Sequence, residues 1–348
     1  MIPLNALICI LLHSVSFGFG WDLSPLGIHE FTIKHVSLYK SRAFLTIDGS
    51  NATLIEASWP ENKFGTRPRV LCDHEPNVLR ECCDQLIHVI STDIDSGARL
   101  WILDRGDDEG LCSPKLVIRS LILVGSKEIQ YEFSTSSNTF HSVVVDPIKA
   151  SDGDTRAFVT MLDTDYLLLF SLSKQTFGKL KFEYIVCDSR KNPSLILTFT
   201  PRRKDLSPIS PISLSEIAIN QNHLYISDSL TGRLFQLPVK TIRQLSFPEE
   251  GVQKMILKTS VTYLGRLLGR GKGLKLDLWD NLYYIIPRDG AIVKWKPCHT
   301  LKAENHLVIY QREINVSQII FGVGSKAWVI ASEFASEETK RHCLRINK

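Results

Sequence analysis

Arg99-Leu100-Trp101-Ile102-Leu103-Asp104, followed after a polar break by Lys115-Leu116-Val117-Ile118, is the stretch on which the fold turns. An aromatic-centred apolar run, a break rich in Asp and Gly and a second apolar run describe two short strands joined as a hairpin. The same grammar recurs at 43–48 with 52–55, 157–162 with 166–170, 223–228 with 233–237, 281–285 with 291–295, and 326–330 with 342–346. Starting from Phe44, the anchoring aromatics Trp101, Phe158, Tyr225, Tyr283 and Trp328 follow at intervals of about 57, 57, 67, 58 and 45 residues. That spacing is close to the roughly 40–50 residues of blade repeats, lengthened by loops. Further apolar strands precede the hairpins, such as Val143-Val144-Val145 ahead of Phe158. Sheets of about four strands with two apolar faces need cover on both sides, and radial packing about an axis supplies it. The expectation is an all-β, six-bladed β-propeller forming one domain over 21–348. A pair of β-sandwiches is the competing architecture, and it would not require the aromatic anchor to recur. The proline-bearing polar stretch 188–211 reads as a loop between the third and fourth blades.

Around this pattern, the composition excludes several classes. A chain of 348 residues with 44% hydrophobic and 22% charged residues is neither disordered nor a small disulfide-stapled module. Its net charge of +4 includes no basic block longer than Arg202-Arg203-Lys204, so nucleic acid is not an expected partner. The first twenty residues carry no Lys, Arg, Asp or Glu, and their apolar run is too short to span a bilayer as a helix. Ser16, Gly18 and Gly20 supply the small residues of a cleavage site, so 1–20 reads as a signal peptide and the product as secreted, without a membrane anchor. An apolar first strand or helix of the domain itself is the other reading of this run.

Removal of 1–20 takes Cys9 away and leaves Cys72, Cys82, Cys83, Cys112, Cys187, Cys298 and Cys343. In an oxidising compartment these are disulfide candidates, and their odd number leaves at least one thiol over. Zinc is the weaker reading because no C-x-x-C pair is present. Two glycosylation sequons, at Asn51 and Asn315, fit the same compartment.

Residues 99–106 together with Cys112-Ser113-Pro114-Lys115-Leu116 resemble the R-L-W-V-L-D-x-G and C-x-P-K-L signature of the insect yellow and major royal jelly protein family. Weaker similarities lie at 42–47 with Ala52-Thr53-Leu54, at 224–239 and at 277–295. The resemblance implies a secreted six-bladed propeller associated with pigmentation, cuticle, eggshell, royal jelly or salivary binding of biogenic amines. Some members convert dopachrome. Cys83 and Cys112 occupy family-like positions, while Ala98 and Lys294 stand where the family commonly has further cysteines, which implies a rewired disulfide framework.

Chemistry is sparse. No nucleophile elbow, H-E-x-x-H helix or kinase signature is present. Gly265, Gly269, Gly271 and Gly273 around Lys272 lack the P-loop spacing and read as a loop leading into a blade. Asp146, Asp152 and Asp154 offer oxygens suited to calcium but read more simply as a turn. His141 is a candidate base, more simply a satisfied polar residue. Asp48, Asp104 and Asp228 read as turn-closing carboxylates at the ends of repeated strands. From the amine-binding relatives, the resemblance implies Asn281 and Tyr283 as contacts for a small aromatic ligand in the axial channel. Lys272 close by would disfavour a protonated amine and favour an acidic or phenolic ligand. The expected role is therefore non-enzymatic extracellular binding or structure, with matrix proteins as partners and no cofactor or metal. Dopachrome-type isomerisation and amine binding are the alternatives, and no residue is assigned to catalysis.

Overall fold

The computed structural model describes residues 20–60, 67–71, 83, 85–107, 109–123, 127–133, 139–162, 164–185, 214–228, 230–247, 256–312, 315–322, 326–332 and 341–345. Residues 1–19 of the expected signal peptide, with Cys72, Cys82, Cys187 and the side chain of Cys343, lie outside the described part.

The described residues form an all-β fold of five sheets. The first holds β1 (Thr32–Tyr39), β2 (Arg42–Asp48), β3 (Leu54–Ser58) and β4 (Arg69–Val70) in chain order. The second holds β5 (Val89–Ile94), β6 (Arg99–Asp104), β7 (Lys115–Ser120) and β8 (Ile129–Glu132). In the third, β9 (Phe140–Val145), β10 (Arg156–Met161), β11 (Tyr166–Ser171) and β12 (Thr176–Ile185) share one sheet with β13 (Leu214–Ile219), β14 (His223–Asp228), β15 (Arg233–Pro238) and β16 (Ile256–Arg266). A short helix, α1 (Val239–Arg243), follows β15. The fourth sheet is β17 (Lys272–Leu276), β18 (Leu282–Ile286), β19 (Ala291–Trp295) and β20 (His306–Gln311), and the fifth is β21 (Asn315–Phe321), β22 (Ala327–Ser332) and β23 (Arg341–Arg345).

The propeller thus has five blades, which corrects the expected six. The third and fourth repeats are joined because β12 and β16 pair in parallel, from Lys179 opposite Ile256 to Ile185 opposite Thr262. These strands, of 10 and 11 residues, are long for a blade's outer position. Each presents a free edge of backbone donors and acceptors, and mutual pairing satisfies both edges at once. Among the described residues, every other strand pairing is antiparallel between consecutive strands.

The inner strands β1, β5, β9, β13, β17 and β21 neighbour one another in turn, and β21 returns to β1 to close the ring. Second strands bury both faces: β10 is buried at all six positions and β6 at five of six. This is why their sequences read as unbroken apolar runs rather than as alternations. Phe44, Trp101, Phe158, Tyr225 and Tyr283 are buried, and Trp328 is partly buried in a cluster with Trp21 and Trp59. Within that cluster Trp59 meets Trp328 edge to face at 5.3 Å.

Each inner strand also carries a register break against its partner close to its start. Such a bulge adds a residue to one strand and re-aims the side chains beside it. The recurrence of the bulge brings polar side chains to the axis of an otherwise apolar ring.

Candidate functional site: the axial channel

Two cavities lie along the axis. A leading chamber of about 330 Å³ is lined by residues from the starts of all six inner strands, among them His35, Ile90, His141, Glu216, Lys272 and Ser317. A trailing chamber of about 410 Å³ is lined by the ends of β5, β9, β13 and β17. These six strands therefore run in the same direction along the axis. Val144, Ile217, Leu274 and Lys275 border both chambers and form the waist between them.

Basic groups cluster at the leading chamber. Lys272 is exposed at its rim and Lys275 is half-buried at the waist, and no described carboxylate lies within ion-pair distance of either. Lys34 is engaged, 3.1 Å from Asp48 in the open. The chamber's carboxylate, Glu216, is held by His141, with Nε2 3.1 Å from Oε1. Burial drives the pKa of His35 down to about 3, with the positive charges of Lys275 and His141 acting in the same direction. His35 is thus neutral at physiological pH, and its Nδ1 accepts the Thr92 N–H at 3.4 Å.

Carboxylates mark the trailing chamber, and most are engaged. Arg243 grips Asp146 through Nε at 2.8 Å and Nη2 at 2.6 Å. Asp95 accepts Arg99 Nε at 2.6 Å and the Trp101 indole N–H at 2.9 Å. Asp93 differs in accepting only backbone N–H groups, from Val145 at 2.7 Å and from Ile94 at 2.9 Å. Burial raises its pKa, and the Lys275 charge partly opposes that rise.

Of the residues singled out from the sequence, Lys272 and His141 line the leading chamber. Asn281 and Tyr283 are buried beside the turn between β17 and β18. The Asn281 amide donates to both oxygens of Asp277 at 2.9 and 2.8 Å, and the Tyr283 hydroxyl donates to Oδ2 at 2.9 Å. Burial first, and then the bond to Asp277, holds the Tyr283 hydroxyl well above its ordinary range. The glycine run is an architectural feature: Gly273 lies at φ +62°, and a Cβ on Gly271 would press on Leu267 and Tyr284. Asp146, Asp152 and Asp154 do not converge on a common point. Asp152 reaches Arg156 at 3.1 Å, and Asp154 accepts the Ser171 hydroxyl at 2.5 Å and the Ser173 N–H at 2.8 Å. Asp104 closes its turn by accepting the N–H groups of Ile87, His88 and Gly106.

Cys83 and Cys112 form a disulfide, so the two family-position cysteines partner each other. Buried Lys115 ties the same loop by donating to the carbonyls of Cys83 and Gln85. Cys298 is a free, exposed thiol. Both sequon asparagines are exposed: Asn51 in the turn between β2 and β3, and Asn315 at the start of β21, where it also lines the leading chamber.

Three features escaped the sequence reading. The turn carboxylates Asp95 and Asp277 each stand six residues ahead of an anchor aromatic, in Asp95-Ser96-Gly97-Ala98-Arg99-Leu100-Trp101 and Asp277-Leu278-Trp279-Asp280-Asn281-Leu282-Tyr283. That spacing was a usable signal. The pairing of His141 with Glu216, 75 residues apart, and the place of Lys275 at the waist left none.

Comparison with known proteins matches residues 87–335 to a family described as major royal jelly protein. No curated protein matches the chain in sequence. Among solved structures, a catalytically inactive virginiamycin B lyase from Staphylococcus aureus, crystallised with quinupristin, is similar at a TM-score of 0.52 and 10% identity. That match covers 90% of this chain and 84% of the lyase. A streptogramin B lyase structure is similar at a TM-score of 0.52 and 9% identity, covering 94% and 85%. At such identities the likeness shows the propeller fold alone.

Proposed function

We propose, for a chain that belongs to the major royal jelly protein family, that this propeller is secreted and binds a small acidic or phenolic aromatic ligand in its leading axial chamber without turning it over. One observation carries the reading. The chamber's rim and waist carry two lysines with no described carboxylate within ion-pair distance, whereas its glutamate is occupied by a histidine. A volume of about 330 Å³ lies at the lower end of the roughly 300–1,000 Å³ of small-molecule sites. It suits a ligand of one or two rings. A water-poor recess strengthens the attraction between an ammonium and an anionic group. Secretion is supported by the leader-like first twenty residues and by the Cys83–Cys112 disulfide. Such a protein fits a role in cuticle, eggshell or pigmented matrix, beside matrix proteins.

Calorimetric titration tests this reading. Indole-2-carboxylate should bind with a salt-sensitive affinity while serotonin does not, and tight serotonin binding with no carboxylate binding would overturn it.

A second reading, dopachrome-type isomerisation, is favoured by the His141–Glu216 pair. A histidine oriented by a carboxylate can take a proton from carbon, and an ammonium can stabilise the enolate-like oxygen that results. Faster decolourisation of dopachrome than in buffer or with heat-killed protein would establish this reading over non-enzymatic binding.

A further inference from the structure

We propose that Asn315 carries an N-linked glycan that roofs the leading mouth of the axial channel, admitting small molecules and shielding the lysines from large ones. The sequon Asn315-Val316-Ser317 opens the innermost strand of the last blade. The Asn315 side chain is exposed and lines the chamber together with Ser317 and Lys272. No described side chain or backbone group holds its amide. A branched sugar at this position rises from the rim, because the strand behind it is fixed by pairing with β22, Asn315 lying opposite Ser332. Glycans are bulky, hydrated surface groups.

The second sequon points the same way. β1 and β2 are antiparallel, so the turn between β2 and β3 lies at the end where β1 begins. Asn51, exposed in that turn, is therefore on the leading face too. Both acceptor sites lie on the face with the basic mouth, whereas Asp93, Asp95 and Asp146 lie around the opposite chamber.

The test uses the full-length chain secreted from insect cells, compared before and after enzymatic removal of N-glycans under native conditions. The reagent is a bulky amine-reactive biotin ester, and labelling is read by peptide mass spectrometry. Lys272 should label several-fold faster once the glycan is removed, and N315Q should label at the faster rate from the start. N51Q should leave the Lys272 rate unchanged, and exposed Lys296 should serve as an unaffected control. An unmodified Asn315 in the secreted protein, or equal Lys272 labelling in both forms, overturns the proposal. Because this readout needs no ligand, it stands apart from the carboxylate titration. A failed titration with protected Lys272 would sink the binding reading and leave the glycan roof in place.

Discussion

The two ends of the axial channel are built from the same strands and use their charges in opposite ways. At the trailing end Asp146 and Asp95 are locked to Arg243 and Arg99, so their charge is spent on holding loops and α1 in position. At the leading end Lys272 has no described carboxylate within ion-pair distance, Lys275 at the waist acts on Asp93 only from beyond that distance, and Glu216 is paired with a histidine. A charge already engaged contributes to stability, whereas a free one beside a cavity is available to a ligand. On the proposed function, the trailing end serves architecture and the leading end recognition.

The largest effect expected of a change at either end is on stability, from Arg243→Ala. Asp146 is almost wholly buried, and a buried ion pair that loses one partner costs about 3–5 kcal/mol. Urea denaturation should register that loss while ligand affinity stays unchanged. Parallel losses of stability and affinity would break the division between the ends.

Next in size is a pH effect centred on His35. Its folded pKa of about 3 lies below the ordinary 6.5, so between those values the unfolded chain binds the extra proton. Stability should be complete above about pH 6.5 and fall as the pH drops toward 3, by an amount of the order of a few kcal/mol. His35→Asn should flatten that part of the curve. An unchanged slope would mean that burial does not act on this ring.

Lys275→Met sharpens the comparison at the waist. Loss of a charge-assisted contact to a bound carboxylate should weaken binding by about 1.5–3 kcal/mol, and the His35 pKa should rise, as read by NMR titration. Lys272→Ala should do least. An exposed rim charge is worth roughly 0.2–1 kcal/mol, visible chiefly in the association rate and its dependence on salt.

Much of the blade pattern was legible in the chain. The quoted run 99–104 is β6 from end to end, and 223–228 is β14. Their aromatics are buried where the repeat placed them because a strand covered on both faces must be apolar throughout. The pairing of β12 with β16 was not legible, since it joins strands far apart in sequence and leaves no periodic trace. Site residues divide in the same way. Lys272 is placed near the channel by the family resemblance alone, and it stands at the start of β17 on the chamber rim. The polar atoms of Asn281 and Tyr283 are taken by Asp277, a carboxylate supplied by the preceding turn. His35, Glu216 and Lys275 reach the chamber through bulges, and no residue type marks these in advance.

The shared eight-stranded sheet also bears on how the ring comes apart. Among the described residues, separate blades meet through side-chain packing and isolated side chain-to-backbone hydrogen bonds rather than a backbone ladder, so each boundary is a seam along which one unit can loosen more readily. Between β12 and β16 a continuous ladder of backbone hydrogen bonds crosses that seam. The third and fourth repeats are therefore expected to open together, as one cooperative block, which amide hydrogen exchange would show as matched protection across β12 and β16.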